Sequence, residues 1–180
     1  CYAASSSMYF DQFGHVKACC QNTLVLGDIT AQSIRQIWAS AEAHGQRLAL
    51  ADRDFSAGCS FCQWQLDSGD ARTMFSRNFD RHQTETVRPE WPRQMEFSLT
   101  NACNLQCIMC NGDLSSAIRS NREHRAPLPV RYTAPFFDEL AEFLPHLSQA
   151  NFLGGEPFLG KEPLQILRML ADIDAGVAVS

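Results

Sequence analysis

The sequence predicts an α/β chain preceded by a small α+β module. Three observations carry this. From residue 95 onward, apolar runs alternate in the order strand, helix, strand, helix, strand; residues 66–93 are polar and rich in breakers; and the first 65 residues are punctuated by cysteines around a hairpin pattern. The expected organisation is a module over 1–65, a linker over 66–93 and a second domain over 94–180.

In the module, Ser7-Met8-Tyr9-Phe10 and His15-Val16-Lys17-Ala18 flank Asp11-Gln12-Phe13-Gly14, which reads as a β-hairpin. Gly14 supplies the positive φ that a short loop needs. After Gly27-Asp28 the period becomes helical, with Ile34, Ile37, Trp38 and Ala41 on one face and Thr30 or Ser33 as N-cap. Trp38 reads as a core anchor. The linker carries Pro89 and Pro92 among Asp, Arg, Ser and Thr.

In the second domain, residues 95–99 form a short strand, followed by a cysteine loop and an Arg-rich stretch to Arg131. Thr133-Ala134-Pro135 opens a helix with an apolar face of Phe136, Phe137, Leu140, Phe143, Leu144 and Leu147, which Pro145 distorts or ends. Residues 150–153 form a second strand ending at Gly154-Gly155. Leu164, Ile166, Leu167, Leu170 and Ile173 give the next helix its face after Pro163, and residues 176–180 read as a third strand. Such alternation implies parallel strands with crossover helices, in a barrel or an open sheet. Cys1 at the start and a strand at the end make both termini read as cut, so the domain is expected to be partial and a targeting segment can be missing.

With 180 residues, 45% apolar and 19% charged, the chain can bury one sizeable core or two small ones. Its net charge of -5 and scattered Lys and Arg argue against phosphate neutralisation, so no nucleic acid is expected. No apolar run is long enough to cross a bilayer, and no membrane association is expected. Eight cysteines, at 1, 19, 20, 59, 62, 103, 107 and 110, favour metal over a disulfide framework in a chain without a secretory signal. Clustered reduced thiols imply a reducing compartment, and the expected location is cytoplasmic.

Cys103-x-x-x-Cys107-x-x-Cys110 follows the strand at 95–99. Three thiolates can each hold one iron of a cubane cluster, leaving one iron open to a further ligand. Zinc, or a closed cluster with a fourth ligand elsewhere, is the competing reading. The next strand ends in Gly154-Gly155-Glu156-Pro157, where glycine lets backbone approach a cofactor closely.

Over residues 95–180 these features resemble the radical S-adenosylmethionine (SAM) superfamily. The resemblance implies the opening strands and helices of a partial radical SAM (β/α) barrel. It implies a SAM-binding 4Fe-4S cluster on Cys103, Cys107 and Cys110, with Gly154, Gly155, Glu156 and Pro157 at the SAM site. Met109 replaces the aromatic residue that often precedes the third cysteine and is expected to pack near the adenine through its thioether. The implied chemistry is reductive cleavage of SAM to a 5′-deoxyadenosyl radical that abstracts hydrogen from substrate. No catalytic side chain is then needed beyond cluster and SAM; His124 and His146 read as surface groups.

Residues 1–65 resemble the SPASM or shorter twitch domain that accompanies such enzymes. The resemblance rests on Cys1, Gly14 before Cys19, Leu26-Gly27-Asp28-Ile29, the helix from Ser33 to Trp38, Arg47 and Gly58-Cys59-Ser60-Phe61-Cys62. It implies an auxiliary 4Fe-4S cluster on Cys1, Cys19, Cys59 and Cys62, with Cys20 spare; zinc suits four thiolates equally on chemistry alone. The module precedes the SAM domain, the reverse of the usual order. Relatives imply a peptide or protein substrate and a reducing electron donor of flavodoxin or ferredoxin type. A reading from another class is a non-catalytic iron–sulfur carrier or a zinc-stabilised interaction module, distinguished by a fourth ligand at the 103–110 site and indifference to SAM.

Overall fold

The computed structural model describes residues 1–69, 71–84, 86–173 and 175–180. A short helix α1 (Ala3–Ser6) leads into β1 (Ser7–Phe10), which turns back through β2 (His15–Lys17) to β3 (Gly27–Asp28). Helices α2 (Ile34–Trp38), α3 (Ala41–Ala51) and α4 (Ser60–Asp67) follow. Then come β4 (Gln94–Phe97), α5 (Ser116–Asn121), α6 (Ala134–Phe143), β5 (Gln149–Phe152), α7 (Lys161–Asp172) and β6 (Ala178–Val179).

Local chemistry explains these elements. Asp11 shapes the hairpin loop: its Oδ1 accepts from the Phe13 and His15 amides at 2.9 and 3.0 Å, while Gly14 sits at φ +94. Ser33, rather than Thr30, caps α2 in a reciprocal box with Gln36. The helical period read through Ala41 breaks at Ala39, because Ser40 starts α3 as a new N-cap by accepting from the Ala43 amide. Pro135 occupies the first turn of α6, and Pro145 lies in the 3-10 turn Leu144–His146 that ends it.

The six strands form one sheet in the order β3-β2-β1-β4-β5-β6. β1, β4, β5 and β6 run parallel, and β2 and β3 antiparallel to their neighbours. The β4-α6-β5-α7-β6 run is the expected alternation. The sheet is open in the described residues, with β3 and β6 at its edges, so only the β/α repeat of the expected barrel is seen. Tyr9 pairs with Glu96 in β4, so the N-terminal hairpin extends the sheet of the second half across the expected module boundary.

One face of the sheet carries Met8, Phe10, Val16, Met95, Phe97 and Ala150, packed under α2, α3, α6 and α7 in a single apolar core. Trp38 is an anchor of that core, as expected. Glu139 of α6 reaches across and accepts from the Ile34 and Arg35 amides at 2.7 and 2.9 Å, closing the first turn of α2.

By strand alternation the opposite face carries Ser7, Tyr9, Gln94, Glu96 and Ser98, all buried. The stretch 66–93, expected as a linker, contributes a 3-10 helix (Phe75–His82) against this face. His82 Nε2 lies 3.0 Å from Gln94 Oε1, and Arg81 donates to Gln149 Oε1 at 2.8 Å. Phe79 joins Ala3 and Cys19 in a second small core, with Tyr2 and Phe75 at its margin. A single aromatic anchor of this kind does not stand out against the polar composition around it.

Candidate iron–sulfur and cofactor site

Two groups of cysteines sit at opposite ends of the sheet. Ser7 pairs with Gln94, so α1 and Cys1 lie toward the amino end of β4, whereas Cys103 lies past its carboxyl end.

The loop after β4 is pinned at its base. Asn101, 7% exposed, donates through Nδ2 to the Gly112 carbonyl at 2.8 Å and accepts at its own carbonyl from the Ser116 amide. Ser116 Oγ accepts from the Cys103 amide and donates to its carbonyl, and Ser115 Oγ donates to the Leu105 carbonyl. The ends of the cysteine excursion are thus fixed to the start of α5. Its tip stands outward: Ile108 is 97% and Met109 93% exposed, and Cys107 is exposed. The Cys103 sulfur accepts from the Leu105 amide at 3.4 Å, and the Cys110 amide closes a turn onto the Cys107 carbonyl.

The glycine-rich loop leaves the neighbouring strand at the same sheet end and docks on the chain entering the cysteine loop. The Glu156 amide donates to the Ala102 carbonyl at 2.7 Å, and the Gly155 amide to the Thr100 carbonyl at 3.4 Å. Gly154 sits at φ +94, and a Cβ there would lie 2.6 Å from Ser98 Oγ. A Cβ on Gly155 would lie 2.9 Å from the carbonyl carbons of both Asn101 and Ala102. The lack of a Cβ at both positions is what lets this loop lie so close to the chain entering the cysteine loop. Glu156 is half-buried, and Phe158 and Leu159 beyond it are exposed.

A cavity of about 530 Å³ opens beside Cys103, lined also by Asn104, Ser116, Arg119, Arg125 and Leu128. Arg119 and Arg125 converge on Asp113 at 3.0 and 3.1 Å, folding the Arg-rich stretch back onto the loop. Another cavity, about 570 Å³, lies at the amino end of the sheet between Arg81, Trp91 and Ser148; it holds no cysteine, and the chemistry favours the first. His146 stacks on Trp91 with ring centroids 3.8 Å apart, and His124 is exposed.

The N-terminal cysteines share a neighbourhood. Cys19 is buried against Ala3 and Phe79, with Tyr2 at the margin of the same cluster. Cys59 begins α4 as its N-cap, Cys62 follows one turn later, and the amino group of Cys1 is close enough to lower both their pKa values. Burial outweighs that effect and pushes the thiols of Cys19, Cys59 and Cys62 upward. Cys20 turns instead toward Glu96 and Lys17, and its thiol is raised to about 11, mainly by burial.

N–H donors meet two of the four expected ligand sulfurs. The Ala3 amide donates to Cys1 at 3.5 Å, while the Gln21 and Asn22 amides near Cys19, and the Ser76 amide near Cys62, draw those thiols part of the way back down. The Asn22 side chain donates to Cys59 at 3.3 Å. Such N–H···S bonds favour the thiolate over the thiol, and with an all-sulfur donor set they fit iron–sulfur ligation. Among the described residues no three His, Cys, Asp or Glu side chains stand in geometry for a single metal ion, in either group. Asn22 and Ser76 give no sequence signal, because they are not ligands and Ser76 lies in the polar stretch.

A family model for SPASM, an iron–sulfur cluster-binding domain, matches residues 1–63. That domain is found in radical SAM proteins. The chain matches no curated protein and no solved structure. No helix among the described residues is long and apolar enough to cross a membrane.

Proposed function

We propose that the chain contributes the cluster and SAM site of a radical SAM enzyme, together with an auxiliary 4Fe-4S site. The observation that carries this reading is the docking of residues 154–156 onto residues 100–102, immediately before Cys103, at the carboxyl ends of adjacent parallel strands. Open α/β sheets bind ligands at that end. Cys103, Cys107 and Cys110 hold three irons and leave one open, while Gly154, Gly155, Glu156 and Pro157 present backbone groups to the methionine end of the cofactor. When bound, cluster and cofactor supply one-electron cleavage of the sulfonium to methionine and a 5′-deoxyadenosyl radical, which takes hydrogen from a substrate carbon. The exposed tip around Met109 is free to fold over the adenine. Cys1, Cys19, Cys59 and Cys62 hold the auxiliary cluster at the other end of the sheet. The electron donor is of flavodoxin or ferredoxin type, and the substrate class is a peptide or protein.

Anaerobic reconstitution with iron and sulfide tests this. The expected content is two four-iron clusters, one of which changes its EPR spectrum when SAM is added. Cys107→Ala removes half the iron and the SAM response; Cys59→Ala removes the other half and leaves the response intact. Zinc in the 103–110 site, or a cluster there indifferent to SAM, overturns the reading in favour of a non-catalytic metal module.

A further inference from the structure

Two N–H donors meet the N-terminal sulfurs, and the one on Cys1 is a backbone amide, whose presence does not depend on side-chain identity. Asn22 is different. Its side chain is the donor to Cys59, at 3.3 Å, and its backbone amide donates to the Cys19 carbonyl at 3.1 Å, so one residue ties together two of the expected ligands. It is 3% exposed and fully engaged: Oδ1 accepts from the Leu24 amide at 2.7 Å, and Nδ2 also donates to the Ala57 carbonyl at 3.3 Å. These bonds leave the amide group one orientation, with Nδ2 toward the sulfur and Oδ1 away from it.

We infer that Asn22 is a positioning residue that sets the reduction potential of the auxiliary cluster through its N–H···S bond to Cys59. Hydrogen bonds to the ligand sulfurs are among the factors that fix cluster potentials. The sign follows from charge. Reduction adds an electron that is partly carried by the sulfurs, so an N–H donor stabilises the reduced form more than the oxidised form and raises the potential. In a buried site that preference is not diluted by competing water.

This inference rests on the auxiliary-cluster reading, and the experiment separates the two. The full chain, reconstituted anaerobically, is titrated redox-potentiometrically by EPR as wild type, Asn22→Asp and Asn22→Ala. Asn22→Asp keeps the acceptor for Leu24 and puts an oxygen in place of the N–H donor facing Cys59 and the Ala57 carbonyl, where Asn22→Ala removes both groups. Both variants are expected to retain full iron content and to show a lower auxiliary potential, with the reduced-to-oxidised ratio at fixed poise falling about fivefold in Asn22→Ala, as for loss of one hydrogen bond. Asn22→Asp falls further because its carboxylate adds negative charge. Hyperfine spectroscopy of the reduced wild type should detect a weakly coupled side-chain nitrogen that both variants lack. An unchanged potential, or no nitrogen coupling to lose, in variants with full iron overturns the role of Asn22. Wild-type iron that is insensitive to Cys59→Ala overturns the auxiliary-cluster reading itself.

Discussion

Gly155→Ala tests the contact on which the proposed SAM site depends. The new methyl would sit 2.9 Å from two backbone carbonyl carbons, Asn101 and Ala102, and no side-chain rotation can relieve that. One loop must move. Overpacking of this kind costs about 1–3 kcal/mol. The shift also breaks the 2.7 Å bond from the Glu156 amide to Ala102, worth about 1 kcal/mol. Replacing glycine returns about 0.4–1 kcal/mol through the unfolded chain, so the net loss is roughly 1–3.6 kcal/mol. For a chain of this size that lowers the melting temperature by roughly 2–14 °C. Urea denaturation followed by circular dichroism measures it, with the slope checked against wild type. Gly45 in α3 is the control: nothing lies within 4 Å of the point a methyl group there would occupy, so Gly45→Ala should stabilise by about 0.5–1 kcal/mol. On the reconstituted protein, displacement of Glu156 should weaken SAM binding at least about tenfold. If Gly155→Ala is as stable as wild type while Gly45→Ala behaves as expected, the loop-on-loop docking is wrong.

Glu139→Ala removes both carboxylate bonds to the first turn of α2 and should cost about 2 kcal/mol, still in one cooperative transition because sheet and core are shared; two separate transitions would refute that coupling. Arg47 is 4% exposed and donates to the Ala4 and Trp38 carbonyls at 2.9 Å each, so Arg47→Ala should destabilise by about 2–4 kcal/mol in the same urea assay, and a loss under about 0.5 kcal/mol contradicts the assignment. Burial pushes the Glu96 carboxyl above its usual range, so the folded state holds its proton longer than the unfolded state and stability falls as pH rises past about 4.3. Glu96→Gln should therefore be more stable than wild type at pH 7, with the difference vanishing below about pH 4; an equal gap at both pH values refutes it.

Periodic segments with explicit caps are legible from the residues alone. The Asp11–Gly14 hairpin loop, the apolar face of α6 and the strands bearing Phe97 and Phe152 sit within a residue or two of their expected places. Short helices without such a signal are not legible: α1, α4 and α5 are four, eight and six residues long, too short to display a period, whereas the five-residue α2 shows through its Ser33 cap and the Ile34, Ile37 and Trp38 face. The sheet pairing escapes for another reason. Ser7-Met8-Tyr9-Phe10 reads the same whether its second neighbour is absent or is β4, and partner choice between distant strands leaves no local mark. At the site, the thiols and glycines are readable by spacing, but their supports are not. Asn22 and Ser116 are ordinary polar residues until the fold brings them to a sulfur or a backbone amide.

The parallel pairing of β1 with β4 also bears on how the chain is made. Met8 has its partner in Met95, so when the hairpin leaves the ribosome one side of β1 has nothing to bond. Translation of the intervening chain takes on the order of ten seconds, and throughout that interval Met8 and Phe10 border an open edge of the kind that recruits other chains. A nascent-chain binder, or cluster assembly delayed until β4 has emerged, would guard this edge. Expression of residues 1–65 alone makes the exposure permanent, and such a fragment should accumulate as aggregate where the 180-residue chain remains in solution.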